Sequence, residues 1–131
     1  MQGGCDNLFE QNTMEHVCFE TADASGFYVG RSWVQRGNVV RHNTFRHIRA
    51  TTTTTRLGSI AAGAPCCQQV AFYLDDEISG FDFYGNTIEN AGLGVLLGGG
   101  RRNRIHANNF TDCDFDIHFV SAPTLSVFRR G

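Results

Sequence analysis

Apolar positions recur in this chain at fixed offsets from four asparagines, Asn12, Asn43, Asn86 and Asn108. Three positions before each stand Phe9, Val40, Phe83 and Ile105. Two positions after stand Met14, Phe45, Ile88 and Phe110, and five after stand Val17, Ile48, Ala91 and Cys113. The repeating segments begin at Asn7, Asn38, Phe81 and Asn103. Such self-similarity marks a solenoid, in which each unit buries its apolar face against its neighbours. The shortest interval, from Asn86 to Asn108, is roughly two dozen residues, the length of one β-helix coil. Helical periodicity is missing, and Gly, Asn and Thr are frequent, which argues against a helical solenoid. The pattern therefore predicts an all-β fold, a right-handed parallel β-helix of about four coils.

A second strand follows each of these segments, in Gly26–Gly30, Ala71–Asp75, Gly94–Gly98 and Asp116–Val120. Alternation sorts its faces. Phe27, Phe72, Val95 and Ile117 point inward, and so do Val29, Leu74, Leu97 and Phe119. Tyr28, Tyr73, Leu96 and His118 point outward, with Gly30, Asp75, Gly98 and Val120 on the same side. The asparagine column has a structural reason. Asn tolerates the left-handed conformation of a tight turn, and stacked amides bond along the column as a ladder. The stretch at 50–69, with its run of threonines and its alanines, reads as an inserted loop. Coils are expected over 1–120, and 121–131 is expected to be a C-terminal tail or partial cap.

Charge changes this picture by exclusion. Net charge is −2 and all eleven basic residues are arginine, so no broad basic field exists to attract nucleic acid. No apolar run is long enough to span a bilayer as a helix. The stretch Met1–Asp6 lacks the basic start and apolar core of a signal peptide and reads like the interior of a longer fold. Five cysteines without a CxxC spacing support neither a zinc knuckle nor a redox motif and read as buried thiols. No metal or cofactor is expected. Asp112, Asp114 and Asp116 share one strand face but lack the repeat of a calcium-binding β-roll.

Three blocks carry a family resemblance. They are Gly26-Phe27-Tyr28-Val29-Gly30-Arg31-Ser32-Trp33 with Arg36 to Phe45, then Tyr73-Leu74-Asp75-Asp76 with Ser79-Gly80, then Gly98-Gly99-Gly100-Arg101-Arg102-Asn103 leading into Asn108-Asn109-Phe110. In this order they resemble bacterial β-helix glycoside hydrolases of the pectate-lyase-like superfamily, over roughly residues 7 to 120. Those enzymes are several times longer, so the chain resembles a fragment or truncated form. The resemblance implies a polysaccharide or oligosaccharide partner and a secreted location.

Glycoside hydrolysis uses two carboxyl groups flanking the scissile bond. Asp75 and Asp76, at the end of an outer-face strand beside Gly98–Gly100, are the first candidates. Asp23, just before the equivalent strand of the earlier coil, is the next. It corresponds to an acidic residue that the resembled proteins also carry before this strand. Substrate-binding candidates are Tyr28 and Tyr73 as stacking platforms, Arg31 and Arg101 as partners of a uronate or of the nearby aspartates, and His118 as a hydrogen-bonding or proton-transfer group. Trp33 is either a stacking platform or a residue packed beneath a loop. Two alternatives stand beside hydrolysis. A polysaccharide lyase is disfavoured by the absence of lysine, and a non-catalytic binding or structural β-helix fits the short length. Uncapped coil ends predict self-association.

Overall fold

The computed structural model describes residues 4–19, 21, 23–49 and 69–120, together with the backbone of 125–128. The expected loop therefore lies outside the described residues except for Gln69, as do 121–124 and 129–131 of the expected tail.

Three sheets run the length of the molecule. Sheet A stacks β1 (Leu8–Glu10), β4 (Asn38–Arg41), β7 (Phe81–Tyr84) and β10 (Arg104–His106). Sheet B stacks β2 (Thr13–Glu15), β5 (Thr44–Ile48), β8 (Thr87–Ala91) and β11 (Asn109–Thr111). Sheet C stacks β3 (Ala24–Gly30), β6 (Gln69–Asp75), β9 (Leu93–Leu97) and β12 (Phe115–Val120). All pairings among these twelve strands are parallel. The fold is a parallel β-helix of four coils. A further strand, β13 (Leu125–Phe128), lies antiparallel along the edge of β12 and ends the parallel stack of sheet C.

The register is that of the apolar columns. Phe9, Val40, Phe83 and Ile105 lie side by side in sheet A. Met14, Phe45, Ile88 and Phe110 do so in sheet B. In sheet C, Phe27, Phe72, Val95 and Ile117 align, as do Val29, Leu74, Leu97 and Phe119. Together with Ile48 and Ala91 these columns, Phe119 excepted, converge on one core. Phe45, Phe72 and Phe83 are wholly buried, and Phe72 stacks on Phe83 with ring centroids 4.0 Å apart. Burial weakens at the two ends, where a coil has a parallel neighbour on one side only. Leu8 is 53% exposed, and Phe119, expected in the core, is 40% exposed.

The corners are set by left-handed residues. Gln11, His42, Gly85 and Ala107, each just before a ladder asparagine, all have positive φ. So do His16, His47, Asn90 and Asp112, each four residues after one. Such backbone is uncommon outside glycine, and it recurs here because every coil must turn at the same points. The asparagines satisfy the backbone that these corners interrupt. Asn12, Asn43 and Asn86 each donate their backbone N–H and side-chain amide to the Oδ1 of the asparagine one coil on, at 2.9–3.1 Å. A second, interrupted ladder runs at the next corner. Asn7 donates to Asn38 Oδ1, and Phe81 N–H donates to Asn103 Oδ1.

One expectation about the outer face changes. Tyr28, Tyr73, Leu96 and His118 do share the outward column of sheet C. Yet Tyr28 is 43% exposed, while Tyr73, Leu96 and His118 fall to 8%, 2% and 0%. Tyr73 and Leu96 belong, with Val70, Leu93 and Phe115, to a second apolar cluster. Sheet C therefore carries two apolar layers, the coil core and an outer one.

Candidate functional site

The site lies where β3 and β6 end, at the corner leading from sheet C toward sheet A. Parallel register places Gly30 beside Asp75. Beyond them the chain turns through positive φ at Arg31, and in the next coil at Asp76 and Glu77. These turns bring together residues far apart in sequence. The Tyr28 hydroxyl donates to Asp75 Oδ2 at 2.7 Å, and Arg31 Nε donates to Asp76 Oδ2 at 2.8 Å. Asp76 N–H also donates to Asp75 Oδ1 at 2.9 Å. Each carboxylate is thus held by a donor from the preceding coil.

The electrostatics follow from these contacts. Its bond to the Asp75 carboxylate, with some help from burial, raises the Tyr28 pKa above the usual phenol range. Tyr73 is raised further, chiefly by burial and then by the charges of Asp75 and Asp23. The bond to Asp76 keeps Arg31 firmly protonated. Asp75 and Asp76 thus present two carboxyl groups, each already engaged by one donor of the preceding coil.

Beside the carboxylates lies a cleft of about 650 Å³, within the size range of small-ligand sites. Arg31, Trp33, Asp76 and Glu77 form one side, Gly98–Gly100 the floor, and Val120 the far edge. It continues past Trp33, Glu77 and Gly100 to Val34, Ser79 and Arg101. The floor requires glycine. A Cβ on Gly98 would stand 2.9 Å from Asp76 N, and one on Gly100 would stand 1.9 Å from Ile78 O. Gly98 also ties the coils together, donating to Leu74 O and accepting from Glu77 N–H.

The candidates therefore divide. Tyr28, Arg31, Tyr73, Asp75 and Asp76 are brought together. Asp23, exposed and with positive φ before β3, joins them through its charge on Tyr73, with no hydrogen bond to Asp75 or Asp76. Arg101 lines the far part of the cleft, where its N–H donates to Ser79 Oγ. Its guanidinium makes no ion pair among the described residues. His118 stands apart, outward but fully buried, so no sugar reaches it in this structure. The acidic run Asp112–Asp116 gathers no metal site. Asp114 pairs with Arg49 at 2.9 Å, and no group of three potential ligands occurs among the described residues.

Two cleft residues carry more weight than their sequence context gave them. Trp33 is 75% exposed, and no described loop covers it. Glu77 lines both parts of the cleft, and no described residue bonds its carboxylate. For Glu77 the available signal was the succession Asp75-Asp76-Glu77 before Ile78-Ser79-Gly80, three acids around one tight turn.

Fold and site define a parallel β-helix with an acidic, tryptophan-flanked cleft at one corner. Searches against protein families, curated proteins and solved structures gave no match.

Proposed function

We propose that this chain is a carbohydrate-active β-helix unit that binds a polysaccharide along the Trp33 cleft and hydrolyses its glycosidic bonds. The observation that carries this reading is the exposed Trp33 indole flanking a glycine-floored cleft that Asp76 and Glu77 also line. An exposed aromatic face suits the apolar C–H surface of a sugar ring, and carboxylates suit its hydroxyls. The three sequence blocks resembling pectate-lyase-like glycoside hydrolases converge on this corner and add support.

In this reading Asp75 and Asp76 act as base or nucleophile, oriented by Tyr28 and Arg31. The second carboxyl of the pair comes from Asp23 or Glu77. A second reading, a non-catalytic glycan-binding module, is favoured by one feature. Both aspartates already have donors on the preceding coil, as structural turn residues do.

The test pairs binding with turnover. Trp33 is the single tryptophan of the chain, so its fluorescence reports the cleft directly. A panel of neutral and acidic polysaccharides should include one that shifts Trp33 emission and releases reducing ends. Asp75→Asn with Asp76→Asn should abolish release and keep the emission shift. Emission shift without release by the wild type would select the binding module. Release of an unsaturated product absorbing in the ultraviolet would select a lyase. No shift with any glycan would remove the carbohydrate reading.

A further inference from the structure

His118 lies in the outward column of sheet C at the C-terminal end of the stack, and it is completely buried. Neither ring nitrogen has a hydrogen-bond partner among the described residues. This is unusual, because buried polar groups are almost always paired. An imidazole in such a place is tolerated while neutral, when it behaves largely as a flat apolar ring. As a cation it would be a buried charge without a counter-ion, among the costliest states a fold can hold.

The described surroundings offer the cation no relief. On β9 its register neighbour is Leu96, and beyond it on β6 is Tyr73. Phe115 precedes it on β12. The nearby acids act elsewhere. Asp116 acts on Cys113, which packs against the coil core, while Asp23 and Asp75 act on Tyr73. Burial alone shifts His118, and it lowers the pKa.

We propose that His118 is an acid-sensitive latch for the outer apolar layer of sheet C: its protonation releases the packing of Tyr73, Leu96 and Phe115 around it. Above the ordinary histidine pKa of about 6.5 the ring is neutral in both the packed and the opened states, and packing is at full strength. As pH falls through that value the opened state takes up the proton first. The opened population then rises by up to tenfold per pH unit until the depressed pKa of the packed state is reached. The consequence is local, since Tyr73 lies both in the released layer and beside Asp75 and Asp23. Acid would thus loosen the backing of the carboxylate corner.

The experiment is thermal unfolding of the whole chain from about pH 7.5 to about pH 5, a range spanning ordinary histidine titration. Wild type is compared with His118→Leu and His118→Gln. The melting temperature of wild type should fall more steeply with acid than that of His118→Leu. The other four histidines remain in both, so their contribution is common. Parallel curves would overturn the proposal. Imidazole NMR of the wild type reads the same event should His118→Leu fail to fold. The His118 signal should titrate below the ordinary range, together with loss of the native Leu96 methyl shifts. Titration at the ordinary value with those shifts unchanged would equally overturn it.

Discussion

Asn86 concentrates the work of one side chain in this fold. It is 1% exposed and accepts both the N–H and the side-chain amide of Asn43. Its own amide is shared among Val40 O, Tyr84 O and Asn108 Oδ1. Asn86→Ala orphans several buried groups at once and should cost at least the ~1–3 kcal/mol of one unsatisfied polar group, measured by urea unfolding. Asn12→Ala at the exposed first coil should cost less, since water replaces the lost partners. Arg31 gives the opposite case. Its pair with Asp76 has side-chain exposures of 79% and 56%, so Arg31→Ala should change stability by only ~0–1 kcal/mol. A marked loss of glycan turnover with an unchanged melting temperature would identify Arg31 as a positioning residue for Asp76.

At the scale of elements, position along the stack decides the value of a contact. Phe72 in β6 has neighbours on both sides and no exposure, so Phe72→Ala should cost about 3–5 kcal/mol. Phe119 in β12 belongs to the same sheet but lies 40% exposed, and Phe119→Ala should cost roughly 1 kcal/mol or less. In the turn after β9, Gly100→Ala adds a contact of 1.9 Å with Ile78 O to a φ of +85°. The left-handed backbone alone costs roughly 1–2 kcal/mol for alanine, so a larger total loss is expected, read as a fall in melting temperature. These strands were readable in the sequence because each core position recurs once per coil with the same character. The outer layer was not. Alternation separates the inside of a coil from its outside, and it is silent on what packs across the outside, so it places His118 outward without revealing its burial. The second asparagine ladder was hidden because Phe81 interrupts it. The partners of Asp75 and Asp76 were hidden because Tyr28 and Arg31 lie 47 and 45 residues earlier, and pairing them requires the register of sheet C.

For the whole molecule, the two ends of the stack differ. At the C-terminal end β13 occupies the edge of β12. At the other end, among the described residues, no strand pairs with the outer edges of β1, β2 and β3, and Leu8, Phe9 and Phe27 border an opening into the core. Open strand edges beside apolar surface favour association. Sedimentation should show concentration-dependent oligomers, and Leu8→Arg should shift them toward monomer. The ladder also has a direction. Within the column Asn12, Asn43 and Asn86 each donate to the Oδ1 of the next asparagine toward the C-terminal end, and the step is the same across sequence intervals of 31, 43 and 22 residues. A coil is therefore an interchangeable part, indifferent to how many residues separate one ladder asparagine from the next. Repeating Asn86–Ala107 in tandem would hand its hydrogen bonds to Asn108 unchanged, lengthening the protein by one storey while leaving the carboxylate corner and both ends as they are.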